Sequence, residues 1–196
     1  SVSSGIGAVG LAVPTYSLMY YSGSEDVGYY AALFSFVVVL NIVAIAIGQA
    51  SLSALSACRV NMKRRKFVLI CTTLSLAILS TVGLVSIIFS QWSTEILYIL
   101  FGIEDEGVAT SLPTFIRLSS LLVVGQFLNY SLTATASYKY LVVSPSVALV
   151  VSTVSSLIFI PGAGYVGAMY VLFSIGFTNI LIISYLIRRA LWLPHT

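Results

Sequence analysis

The sequence predicts an all-α polytopic membrane protein with six transmembrane helices. Three observations predict it: the composition, the spacing of the apolar stretches and the segregation of charge along the chain. Of the 196 residues, 59% are hydrophobic and 8% charged, and the mean hydropathy is +1.05. A soluble domain carries about 45–50% apolar and about 25% charged residues. So few charges cannot coat a water-facing surface. That argues against a soluble enzyme, a nucleic-acid binder and a disordered chain.

A helical crossing needs about 20 apolar residues. Six such stretches can be read, at about 5–21, 29–55, 67–89, 112–136, 140–160 and 166–187. They are read as helices because in lipid every backbone N–H and C=O must bond within its own segment. A β-barrel would show alternating segments of about ten residues, and the runs 121–124 and 180–183 do not alternate.

The first stretch carries Gly5, Gly7, Gly10 and Pro14, which predict close packing followed by a kink. Tyr20, Tyr21, Tyr29 and Tyr30 bracket the turn to the second, and Trp92 follows the third; they fit an aromatic belt at a membrane interface. Tyr138, Tyr140 and Trp192 do the same at the opposite interface. The segment 96–101, closed by Gly102, is too short to span and is expected as a short helix lying in the interface. Pro113 suits the start of the fourth helix, and Ser144 before Pro145 suits the start of the fifth. Residues 161–168 predict a tight hairpin between the fifth and sixth. Pro161 ends one helix, Gly164 allows an unusual backbone angle, and Gly167 lets the next helix start against a neighbour.

If six spans alternate, Arg59, Lys63, Arg64, Arg65, Lys66, Lys139, Arg188 and Arg189 fall on one side. Glu25, Asp26, Glu95, Glu104, Asp105 and Glu106, all the acidic residues, fall on the other. The positive-inside rule makes the basic side cytoplasmic, with both termini of this segment there. The chain begins with Ser1 and shows no basic stretch ahead of its first apolar segment. It is therefore expected to be part of a larger protein, without a signal peptide.

The residues that bear chemistry are few. Cys58 and Cys71 have no CxxC partner, and the single histidine is His195. No metal site, cofactor site, disulfide framework or nucleophile pair is expected, and the chain is not expected to be an enzyme. Arg117 is the one basic residue on the acidic side. Two readings stand for it: a side chain snorkelling to the outer headgroups, or an anion contact in a water-filled cavity. Asn41, Gly48, Gln49 and Ser56 share one arc of the second helix. Gln126, Asn129 and Thr133 share one face of the fourth. Both sets read as interhelical hydrogen bonding or as cavity lining. Arg117 lies nine residues before Gln126, roughly opposite it on an ideal helix.

The turn Pro161-x-x-Gly164-x-x-Gly167-Ala168 resembles the hairpin before the sixth helix of a lobe in Wzx-type polysaccharide flippases. Other pieces agree in order: Pro14 then Tyr16, the run Val27-Gly28-Tyr29-Tyr30, Phe101-Gly102, and Lys139 after the fourth helix. The resemblance covers nearly the whole chain. It implies one six-helix lobe, the C-terminal one, of a two-lobe transporter of the multidrug-extrusion type. It also implies the function: translocation of an oligosaccharide linked to undecaprenyl pyrophosphate to the outer leaflet, during O-antigen, lipopolysaccharide or other surface polysaccharide synthesis. The implied location is a bacterial or archaeal cytoplasmic membrane. The implied partners are the lipid-linked oligosaccharide, membrane lipid and an N-terminal lobe, with no nucleic acid. On this reading Arg117, Gln126, Asn129, Asn41 and Gln49 are cavity candidates. Pro14, Pro161, Gly164 and Gly167 are structural.

Three other functions compete, one of them a non-catalytic membrane scaffold. A multidrug extrusion transporter of the same fold would want a membrane-embedded carboxylate for cationic drugs, and the spans carry none. A membrane-bound polysaccharide polymerase or glycosyltransferase would want carboxylates or a base held on a substantial loop. Here Glu104-Asp105-Glu106 reads as a solvated run.

Overall fold

A computed structural model describes residues 2–135 and 141–192. Every element in it is a helix: α1 (Val2–Tyr21), α2 (Ser24–Val60), α3 (Arg64–Phe101), α4 (Glu106–Ala134) and α5 (Val143–Trp192). Among the described residues, α2, α3, α4 and α5 are long and apolar enough to cross a membrane. A multi-pass membrane protein follows. The 20 residues of α1 rise about 30 Å, and the chain continues through Pro14 as helix. Lys139, Tyr138, Tyr140 and His195 lie outside the described residues.

The stretches expected at 140–160 and 166–187 are not separate elements, because α5 runs through both. It is nonetheless folded in two. Gly164 takes φ 52° and ψ −133°, outside the helical region. The Ser144 hydroxyl lies 3.0 Å from Asn179 Oδ1, although an unbroken helix would set those residues about 52 Å apart. α5 is thus a hairpin of two antiparallel arms. At its neck, a Cβ on Gly167 would collide with the Phe159 carbonyl oxygen.

The segment 96–101 is also continuous with its predecessor, forming the end of α3. Trp92 breaks the helical angles at φ −126° and ψ 22°. Phe89 and Phe101 would stand about 18 Å apart along a straight helix. Instead both rings pack on Phe36, at 5.2 and 5.9 Å. Gly102 then ends α3 in the left-handed conformation, φ 67°, and the Ile103 N–H reaches back to the Leu97 carbonyl. That is a glycine stop of the Schellman type. Asp105 has a local role: its Oδ1 accepts from the N–H groups of Gly107 and Val108, at 2.7 and 3.1 Å, capping α4.

α4 is the central post. It packs against α2, α3 and α5, while α1 leans chiefly on α5. Its buried face includes Phe115, Ile116, Leu122, Val123, Phe127 and Leu132. Small residues allow the closest approaches, as membrane packing requires where lipid gives no hydrophobic drive between helices. A Cβ on Gly176 of α5 would stand 2.5 Å from the Leu122 backbone nitrogen. On α1, a Cβ on Gly10 would stand 3.5 Å from the Leu149 backbone, and the Ser152 hydroxyl donates to the Gly10 carbonyl at 2.6 Å.

The alternation of helix directions gives the bundle two chemically different ends. At one, α1 meets α2, α3 meets α4, and α5 turns. There Asp26 Oδ2 accepts from the Tyr165 N–H at 3.2 Å, tying the first turn to the α5 hairpin. This end carries the acidic residues. The other end carries Arg59, Lys63 to Lys66, Arg188 and Arg189. Reporters fused after Lys66 and after Arg189 are therefore expected on the same side of the membrane, and one fused at Glu104 on the other. Opposite signals at Lys66 and Arg189 would contradict this arrangement.

Candidate functional site

A cavity of about 530 Å³ opens between α1, α4 and both arms of α5. Volumes of roughly 300–1,000 Å³ are typical of sites for small organic ligands. α1 contributes Gly7, Gly10 and Leu11. α4 contributes Leu122, Gln126, Asn129, Tyr130 and Thr133. The first arm of α5 and its approach contribute Leu141, Ser144, Pro145 and Ala148, and the second arm Ile175 and Asn179. The glycines of α1 hold the wall thin at one side, where a larger side chain would occupy the space. Gln126 is about 30 Å along α4 from its start, so the cavity lies towards the basic end of the bundle.

Its chemistry is amide and hydroxyl on an apolar wall. No charged side chain lines it among the described residues. The Ser144 hydroxyl donates to Asn179 Oδ1, bridging the two arms of the hairpin. Thr133 Oγ1 donates to the Asn129 backbone carbonyl at 2.9 Å, and both residues line the cavity. Amides and hydroxyls both donate and accept. Such a wall can match a neutral polyol in many orientations and gives no net attraction to an ion.

The sequence candidates separate into three places. Gln126, Asn129 and Thr133 line the cavity together. The α2 set does not. Gly48 is buried against the Tyr130 ring, where a Cβ would stand 2.7 Å from ring carbon; Gln49 is exposed; Asn41 is half-buried on α2. Gly48 touches the site only by seating Tyr130, whose other side lines the cavity. Replacing Gly48 with alanine is expected to push the Tyr130 ring inward and destabilise the bundle by about 1–3 kcal/mol, the scale of overpacking. Thermal unfolding of the purified variant checks this.

Arg117 occupies the third place, outside the cavity lining, on the face of α4 towards α3. Its Nε donates to Ser86 Oγ at 2.7 Å, and that buried hydroxyl donates to the Pro113 carbonyl at 3.1 Å. Arg117 is exposed, although its Nε bond to Ser86 is partly buried. The nine-residue offset from Gln126 thus sets the cation and the amide wall on different sides of one helix.

Asn179, Tyr130 and Ser144 are the polar wall residues not expected there from the sequence. Asn179 is the single Asn or Gln in α5. The rule that singled out Gln126 and Asn129, an amide at membrane depth, applies to it equally. Ser144, expected as a helix cap, instead spans to the other arm of its own hairpin. Cys58 and Cys71 are buried free thiols, and no group of residues suited to a metal occurs among the described residues.

No family model, curated protein or solved structure matches the chain.

Proposed function

We propose that the chain is a membrane-embedded lobe of a translocator that moves a lipid-linked oligosaccharide between leaflets during surface polysaccharide synthesis. The observation that carries this reading is the uncharged amide and hydroxyl wall inside an otherwise apolar helical bundle. A sugar offers closely spaced hydroxyls that both donate and accept, and Gln126, Asn129, Ser144 and Asn179 answer them in kind. The apolar neighbours Leu11, Leu122 and Ile175 suit the faces of a sugar ring. A cationic drug would find no carboxylate among the described wall residues, which favours the glycan over the multidrug reading.

In this reading α1 and the two arms of α5 join α2, α3 and α4 to make six crossings, with the basic end in the cytoplasm. A second lobe completes the transport path. Arg117 then serves the phosphate of the carrier separately from the glycan wall, since it stands on the α3 side of α4. Its guanidinium keeps its terminal nitrogens beyond the Nε bond to Ser86, and such a fork fits phosphate.

The test is transbilayer movement of a fluorescent lipid-linked oligosaccharide in vesicles holding the full-length protein. Leucine at both Asn129 and Asn179 removes two polar contacts and fills part of the wall. A loss of about tenfold or more is expected, since each hydrogen bond is worth about 1 kcal/mol. Gln49→Leu, on an exposed site outside the cavity, should move lipid at the wild-type rate. Unchanged movement in the double variant would remove the cavity from the mechanism.

A further inference from the structure

The α2–α3 turn carries a surface that the transport reading does not use. Five of the eight residues from 59 to 66 are basic: Arg59, Lys63, Arg64, Arg65 and Lys66. Lys63 to Lys66 are all exposed. Apolar side chains are interleaved with them, and they are exposed too. Val60 is 80% and Met62 72% exposed, followed one turn into α3 by Val68 at 49% and Leu69 at 64%. The turn is a defined structure. Met62 adopts φ 54°, rare for a residue with a side chain, and the N–H of Lys63 reaches the Cys58 carbonyl at 2.9 Å.

We propose that this turn binds the phosphate headgroups of anionic phospholipid in the leaflet at the basic end of the bundle. The plane of the surface argues for lipid. α2 and α3 are both apolar enough to cross a membrane. Val68 and Leu69 therefore face hydrocarbon only about 3–6 Å along the axis from Arg65 and Lys66. The cations stand at the depth of the lipid phosphates, with Val60 and Met62 set to enter the acyl boundary between them. No acidic side chain shares this end among the described residues, since all six lie towards the other. Juxtamembrane basic clusters of this size attract anionic lipid. A free phosphate would meet the same cations but gain nothing from the apolar pair, and this separates the two sources.

The experiment uses the purified chain in neutral detergent. It counts lipids retained in native mass spectrometry with added phosphatidylglycerol, phosphatidylcholine or inorganic phosphate. Phosphatidylglycerol is expected to bind at least about tenfold tighter than phosphatidylcholine. Neutralising Lys63, Arg65 and Lys66 together (K63Q, R65Q, K66Q) should cost about a hundredfold. In case that variant inserts wrongly, two readings stay on the wild type. Binding should fall steeply in 1 M salt, where screening acts within about 3 Å. Inorganic phosphate at the same concentration should displace little lipid. Equal retention of both lipids, salt-independent retention, or full displacement by phosphate would overturn the proposal.

Discussion

Leucine at position 176 is expected to force apart the close contact between α4 and α5 and cost about 3 kcal/mol or more. A single Cβ there would already stand 2.5 Å from the backbone nitrogen of Leu122 and 2.8 Å from the carbonyl carbon of Leu121. Backbone cannot rotate out of the way as a side chain can, so α4 and α5 must separate along their length. Overpacking in well-packed cores costs about 1–3 kcal/mol even where side chains can yield. Thermal unfolding of the purified protein is the measurement. A Gly176→Leu protein with the wild-type midpoint would show that these helices do not pack as described. The expected loss extends to the cavity, because Ile175 and Asn179 line it from the same arm, on either side of Gly176.

On the proposed translocation, export is expected to fall about 10–100-fold in Arg117→Ala, the scale of one hydrogen bond to a charged group. Arg117→Lys should keep part of the function, since it preserves the charge and loses the planar fork. Both proteins should reach the membrane at wild-type levels. Ser86 keeps its bond to the Pro113 carbonyl whether or not arginine is present, so the local packing does not depend on the guanidinium. Export by the Ala variant equal to wild type, at matched levels, would reduce Arg117 to an interface anchor.

Much of this arrangement was legible in the residues, and the illegible part has a common cause. Apolar length gave the helices, because lipid leaves the backbone no alternative. Gly102 and Gly164 marked places where the chain takes positive φ. Within α4, periodicity alone set Gln126, Asn129 and Thr133 on one face and Arg117 on another. Periodicity within one helix cannot say which neighbour a face meets. Asn41 and Gln49 shared an arc on α2 as convincingly as the α4 set did, yet the cavity formed against α1 and α5. Gly176 was invisible for the same reason: its meaning is the backbone of Leu122, 54 positions away in the chain. Trp92, expected as an interface anchor, is 56% exposed and also stands at the bend of α3, which its residue type did not announce.

The leaning of α1 on α5 has a consequence for how the protein is made. The first helix leaves the ribosome before its principal neighbour exists, with the 121 residues from 22 to 142 still to be synthesised. At about 5–20 residues per second, that wait is roughly 6–25 seconds. During it Gly7, Gly10 and the Gly10 carbonyl have only lipid, or the insertion machinery, against them. The cavity has no existence in this interval, since two of its walls belong to α5, which is translated after α1 to α4. A nascent chain halted before residue 143 should thus carry α1 as a loose helix, open to chaperones and membrane proteases. Arrival of the α5 hairpin would end that exposure in one docking event, with Asp26 already in place to receive its turn.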